Sequence, residues 1–220
     1  MKNIVITGAN RGIGLALVKQ FIDKNYRVFA VCRQSSLALA QLDVEVIDGI
    51  DVVNEDDLIR LQQRLMDVDI DSLICNAGIL RDEQLGNLNL ATIREQFEVN
   101  AIAPLRIVEL LETHLVNNAK IAMITSRMGS IADNSSGGRY GYRMSKAALN
   151  AASMSISHDL AYKGVAIGIY HPGYVQTDMV GNRGDISAEE AAKRLTGLIE
   201  NLSLANSGVF MHSNGQVLPW

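Results

Sequence analysis

Residues 4–17 read Ile4-Val5-Ile6-Thr7-Gly8-Ala9-Asn10-Arg11-Gly12-Ile13-Gly14-Leu15-Ala16-Leu17. A β-forming run leads into a glycine-rich turn, and Gly12–Lys24 then places Ile13, Ala16, Leu17 and Phe21 at near-helical spacing. Strand, tight turn and helix form the unit from which parallel sheets are wound. Gly8 can make the turn, Gly12 lets backbone approach a pyrophosphate, and Gly14 lets helix and strand pack closely. The helix N-terminus beyond them offers unpaired N–H groups to an anion. The G-x3-G-x-G spacing departs from the common G-x-G-x-x-G, and glycine used for turn geometry alone is the plainer account. Its place at the first strand–helix junction favours a nucleotide.

The same alternation continues along the chain. Further β-rich runs are Arg27–Val31, Val44–Ile47, Ser72–Cys75, Ile121–Thr125 and Val165–Tyr170, with a weaker seventh at Gly208–Met211. Most are continuously apolar, as strands covered on both faces must be. Helical patterns lie between them at Glu55–Leu65, a long Ala91–Asn118, Tyr142–Tyr162 and Ala188–Leu202. The expected fold is therefore α/β, a doubly wound parallel sheet in one domain spanning residues 1–220. Ligands of such sheets bind beyond the carboxyl ends of the strands. The polar, glycine-bearing stretch Arg127–Arg139 reads as a loop at that end.

Composition narrows the class. The 220 residues are 48% hydrophobic with only 3 prolines, which suits a buried core rather than disorder. A net charge of −4 argues against a nucleic-acid partner. Two cysteines make no disulfide framework and point to a reducing compartment. No apolar run reaches the roughly 18 residues of a membrane span, and the opening apolar run is too short for a signal peptide. A soluble, cytoplasmic protein with no membrane partner is expected, and no metal-ligand cluster stands out.

Past the second strand, where an acidic residue would meet an adenosine ribose, the chain has Cys32 and Arg33. A guanidinium there, with Arg11 in the turn, suits a 2′-phosphate, so NADP(H) is preferred and NAD(H) remains possible. Arg33 as a solvated loop charge is the alternative. Tyr142 and Lys146 stand at i,i+4 and share a helix face, where an ammonium would lower a phenol pKa toward working pH. That makes Tyr142 a general acid or base. With six tyrosines in the chain the pair alone is unspecific. Ser126, just past the fifth strand, can orient a substrate oxygen, or simply cap a turn. Asn76-Ala77-Gly78 reads as a turn or as backbone beside a ribose. Pro104 inside a helix deprives the Asn100 carbonyl of its donor, leaving it able to hold a water or merely kinking the helix.

Together these motifs resemble the short-chain dehydrogenase/reductase family, from residue 4 to about residue 180, with the ending Gly208–Trp220 similar to one branch. TGxxxGxG falls on Gly8, Gly12 and Gly14, the adenine contact on Asp51-Val52, NAG on Asn76–Gly78, and YxxxK on Tyr142 and Lys146. The stretch from Thr125 to Asn150 is similar to the C-factor and carbonyl-reductase-like branch. The resemblance implies a Rossmann-like sheet of about seven strands in the order 3-2-1-4-5-6-7. It implies Asn100, Ser126, Tyr142 and Lys146 as catalytic residues, with Ser130 in reserve for Ser126 because the loop to Tyr142 is long. Cofactor contacts are expected from Gly8, Asn10, Arg11, Gly12, Ile13, Gly14, Arg33, Asp51, Val52, Asn76, Ala77, Gly78, Tyr142 and Lys146. Pro172, Gly173, Val175 and Thr177 would contact the nicotinamide end.

Hydride transfer between NADPH and a carbonyl or alcohol substrate is the implied activity. The alternative is a nucleotide-binding regulatory or signalling protein of the same fold. Val175–Ser187 is the expected substrate loop, with Met128, Tyr174 and Met179 as lining residues; His158 and His171 read as structural. Similar proteins form dimers or tetramers through helices equivalent to Ala91–Asn118 and Tyr142–Tyr162. Small residues along the latter either allow helix contact between copies or seat the helix on its own sheet.

Overall fold

A computed structural model describes all 220 residues, Met1–Trp220. Seven strands form one parallel sheet: β1 (Asn3–Thr7), β2 (Arg27–Val31), β3 (Glu45–Ile47), β4 (Ile70–Cys75), β5 (Leu115–Ile124), β6 (Ala166–His171) and β7 (Phe210–His212). Their order is β3-β2-β1-β4-β5-β6-β7, as expected. β1 pairs with β2 on one side and with β4 on the other, so the winding direction reverses beside β1. That is the crevice where a doubly wound sheet binds its ligand. Seven helices accompany the strands: α1 (Gly12–Asp23), α2 (Leu37–Ala40), α3 (Glu55–Arg64), α4 (Leu90–Phe97), α5 (Ala103–Leu111), α6 (Tyr140–Asp159) and α7 (Ala188–Glu200).

Strand alternation sends side chains to two cores. Ile4 and Ile6 face a core shared with Leu17 and Phe21 of α1 and Leu195 of α7. Val5 faces the other, with Leu61 of α3, Ile107 of α5 and Leu149 of α6. Both faces are dry, which explains the unbroken apolar runs. Cys32 and Cys75 are buried free thiols. No helix is long and apolar enough to cross a membrane.

The continuous helix expected over Ala91–Asn118 is not formed. α4 stops at Phe97, Glu98–Ile102 widens into a π turn, α5 ends at Leu111, and Leu115–Asn118 already belongs to β5. Pro104, in the first turn of α5, has no N–H to give to Asn100, and the widened turn absorbs that loss. Further on, Asn118 adopts a left-handed φ of 63°, and the β4–β5 ladder slips in register between Ile70 and Ser72. α2, a single turn capped by Ser36 accepting from Leu39 N, had no periodic signal to announce it.

Candidate active site

A cleft of about 800 Å³ runs across the carboxyl ends of the strands, from the glycine turn to the start of α6. At the turn, Gly8 has φ +66°, and a Cβ there would lie 2.9 Å from Ala77 Cα. A Cβ on Gly14 would lie 2.0 Å from the Gly8 carbonyl oxygen. Helix and turn thus touch through backbone. Asn76 is the strut that holds them: its Nδ2 donates to the carbonyls of Thr7 and Gly8 at 3.1 Å each. Its own N–H is donated to Thr7 Oγ1 at 3.0 Å. Asn10 Nδ2 donates to the Gln34 carbonyl at 2.9 Å, tying the turn to the segment after β2.

The residues fit a dinucleotide. α1 carries no side-chain cap and no acidic residue in its first turn, so its N-terminal N–H groups stay free for an anion. Gly8, Asn10, Arg11, Gly12, Ile13 and Gly14 line one end of the cleft, together with Arg33, Asp51 and Val52. Asn76, Ala77 and Gly78 form its floor, and Tyr142, Lys146, Pro172 and Thr177 its far end. Two cations expected at the adenosine end are both engaged with acids: Arg11 Nη1 lies 3.2 Å from Asp178, and Arg33 Nη1 lies 3.9 Å from Asp51. Each pair is exposed and weak enough to be exchanged for a phosphate.

Four expected residues are not among those that line the cleft. Gly173 adopts φ +102° against Ile186, and Val175 is buried and bridged to Ile186 at the base of the loop. They shape the segment rather than line the cleft. Asn100, fully buried, spends its side chain on a neighbour: Oδ1 accepts from Ile79 N and Nδ2 donates to Ile79 O, both at 2.8 Å, and Nδ2 also reaches Ser145 Oγ at 3.1 Å. Ser126 caps a 3₁₀ turn, its Oγ accepting from Met128 N at 3.1 Å. The same hydroxyl is near enough to the Tyr142 phenol to affect its pKa.

The electrostatics differ from the i,i+4 expectation. Burial pushes the Tyr142 phenol above its ordinary range, and Ser126 and the Arg139 charge pull it partly back. Lys146 is not among the groups that lower it. Its Nζ stands 5.9 Å from the Tyr142 ring centre and donates to the Ile124 carbonyl at 2.9 Å. Burial in turn pulls the Lys146 ammonium down to about 8. Spacing put both on one face; it could not say that the lysine's last bond turns toward β5.

Val175–Ser187 closes into a loop, with Gln176 N donating to the Ile186 carbonyl at 2.9 Å and Asp185 N to Tyr174 at 2.7 Å. Met179 lines the cleft, whereas Met128 and Tyr174 do not. Ser130 is buried, its Oγ accepting from Asp133 N. His158 is exposed on α6. His171 stands edge-on to His212, ring centres 4.9 Å apart, and burial pushes it down to about 3. Sequence reading missed Ser145, which links Asn100 to the Tyr142 carbonyl, and Ser213, whose Oγ donates to Pro172 O at 2.8 Å. It also missed Gln96 and Glu83. No local signal separates these from ordinary loop and helix polar residues.

With this geometry in place, comparison with known proteins gives the class. The model of the short chain dehydrogenase family matches residues 2–188. The chain belongs to the short-chain dehydrogenase/reductase family. It is 37% identical, over the whole of both chains, to the 1-hydroxy-2-glutathionyl-2-methyl-3-butene dehydrogenase of Rhodococcus sp. strain AD45. It is 40% identical to the C-signal of Myxococcus xanthus, over 69% of this chain and 93% of that one. Among solved structures, the carbonyl reductase Sniffer of D. melanogaster superposes with TM-score 0.92 at 28% identity over 100% of both chains. An NADPH-bound carbonyl reductase from chicken fatty liver gives 0.88 at 28% identity, over 100% of this chain and 99% of that one.

Proposed function

We propose that this chain is an NADPH-dependent reductase of small carbonyl compounds, working as one domain over residues 1–220 in the cytoplasm. The observation that carries the reading is the largely buried Tyr142 side chain, near Ser126, lining the far end of a cleft that begins at the glycine turn. Arg33 and Arg11, exchanging their carboxylates, would hold the 2′-phosphate, and the uncapped N-terminus of α1 would hold the pyrophosphate. When bound, the cofactor supplies the hydride.

The chain's own residues manage the proton. Tyr142 carries its proton at neutral pH, as an ordinary phenol does and the more so for its burial, and that is the state a general acid toward a carbonyl oxygen requires. Ser126 donates to the same substrate oxygen and fixes its approach. Lys146, anchored on Ile124 with its Nζ near Gly78, would hold a ribose hydroxyl of the cofactor. Asn100 keeps the Ile79 segment in place, and its main-chain carbonyl, to which Pro104 has no N–H to give, would hold a water behind the lysine. The loop Val175–Ser187 covers the substrate. Copies of the chain associate through α5 and α6, where Ala151 and Ser155 are exposed while Ser145, Ser153 and Ser157 seat α6 on its own sheet.

NADPH oxidation followed by absorbance against aldehydes, ketones, quinones and a glutathionyl alcohol–ketone pair tests this. Turnover that falls at least a hundredfold in Tyr142→Phe is expected, with NADPH affinity retained. The likeness to the C-signal gives the regulatory reading its footing. Tight NADPH binding with no turnover on any substrate would favour that reading over ours.

A further inference from the structure

α6 carries both Tyr142 and Lys146, yet its own sequence does not cap it. Arg139, at the N-cap, sits at φ +52° with no side-chain bond to the helix, and the first turn holds no acid. An uncapped helix end leaves several N–H groups without partners. Here two of them are met by Glu83, far upstream in the chain. Glu83 Oε2 accepts from Gly141 N at 3.1 Å, and the Glu83 main-chain carbonyl accepts from Arg139 N at 2.8 Å.

Glu83 is an unusual residue by burial. Every other residue from Arg81 to Leu90 is exposed, whereas Glu83 is 2% exposed. No cation pairs with it. Its Oε1 takes neutral donors, Gln96 Nε2 at 2.7 Å and Thr92 Oγ1 at 2.9 Å. A buried carboxylate met only by neutral donors is costly unless something specific depends on it, and the N-terminus of a 20-residue helix supplies a complementary partial charge.

The contacts form a ladder. Thr92, Gln96 and Asn100 recur every four residues on one face running from α4 into the π turn. They hold alternate residues of an extended segment: Asn100 takes Ile79, Gln96 takes Arg81 N at 2.8 Å, and Thr92 and Gln96 take the Glu83 carboxylate. Asn100 also bonds Ser145, which bonds the Tyr142 carbonyl. Gly141 closes the arrangement, since a Cβ there would lie 2.4 Å from Gln96 Nε2.

From this we propose that Glu83 is a positioning residue for Tyr142: its buried carboxylate caps the start of α6 from outside the helix and thereby fixes where the phenol stands. The proposal rests on the reductase reading above. Glu83 touches no reacting atom and acts through Gly141, the residue before Tyr142.

The test uses the full chain and four variants: Glu83→Gln, Glu83→Ala, the exchange pair Glu83→Gln with Gln96→Glu, and Tyr142→Phe. Carbonyl-reduction kinetics, NADPH affinity and amide hydrogen exchange over residues 139–146 are the readouts. Glu83→Gln places an amide donor against a donor, so kcat should fall at least tenfold while NADPH affinity changes less than twofold. Exchange at the first turn of α6 should rise by at least tenfold. The exchange pair restores matched donors and acceptors between positions 83 and 96, and should recover most of kcat. Unchanged kcat and exchange in Glu83→Gln would overturn the proposal even where Tyr142→Phe is inactive. Loss without recovery in the exchange pair would overturn it too, by showing a general folding defect. If Tyr142→Phe matches the unaltered chain, the reductase reading falls, and with it the role of Glu83 in catalysis, whatever exchange shows.

Discussion

Gly14→Ala tests the glycine turn where the geometry is least forgiving. The added methyl would sit 2.0 Å from the Gly8 carbonyl oxygen and 2.7 Å from Asn76 Nδ2. Heavy atoms rest at roughly 3.5 Å or more, so α1 and the turn must part by about 1.5 Å. Overpacking on that scale costs about 1–3 kcal/mol. Displacing the Asn76 strut from Gly8 adds about 1 kcal/mol for the hydrogen bond. A total near 3 kcal/mol corresponds to a Tm lower by about 6–12 °C in a chain of this size. The cofactor should suffer more than the fold, because the displaced groups are the ones that face it. We expect NADPH affinity, measured by fluorescence quenching, to drop at least about a hundredfold, near 2.7 kcal/mol. Gly197→Ala is the matched control. It lies inside α7 with nothing within 4 Å of the new methyl, and should raise stability by about 0.5–1 kcal/mol. A Gly14→Ala protein that melts within about 2 °C of the parent and binds NADPH as before would refute the close-contact argument.

Further outcomes follow from charge. Arg33→Asp should weaken NADPH by about 10–100-fold, the worth of charge-assisted bonds to a phosphate, while leaving NADH nearly unchanged; equal losses measured by titration would remove the 2′-phosphate role. Lys146 titrates at about 8 in the fold against an ordinary 10.5. Between those values the unfolded chain binds the extra proton, so stability should rise with pH from about 8 to 10.5. Denaturant melts of the cofactor-free protein should lose that rise in Lys146→Met. His171 is held down to about 3, against an ordinary 6.5, by burial first and then by His212 and Arg127. It stays neutral in the fold while the unfolded chain gains a proton, so its contribution is complete above pH 6.5 and lost progressively as pH falls toward 3. His171→Gln should flatten that acid limb of the melting curve, and a limb of unchanged slope would acquit the residue.

Much of the fold was legible because its signals are local. A continuous apolar run between helical patterns defines a buried parallel strand, and β2 came out with both ends as read, at Arg27 and Val31. What could not be read was where one element yields to another when both are apolar. Leu110, Leu111, Leu115 and Val116 fit a helix by spacing, and pairing with β4 decides that the last two belong to β5. The π turn before Pro104 is similarly invisible. A proline announces a missing bond, but not whether the chain kinks or widens; here it widens, with the Asn100 side chain tied to Ile79.

The site divides along the same line. Residues that must be glycine, or that bring a rare functional group to a strand end, carry their meaning in the motif. Gly8, Gly14 and Tyr142 are of that kind. Residues that hold them are chosen by partners far away in the chain, and their side chains are common. Asn76 is read as a turn until its amide is seen on the Thr7 and Gly8 carbonyls. Glu83 stands in an exposed run and looks solvated, yet it closes the helix that begins at Tyr140. The phenol's pKa belongs with these. The motif puts a lysine four residues away and suggests a lowered value, whereas burial raises it and Lys146 points its ammonium at Ile124. The direction of the Tyr142 shift is therefore set less by its motif neighbour than by burial. On the proposed reading, the support of α6 from Glu83 through Gly141 bears on where that phenol stands.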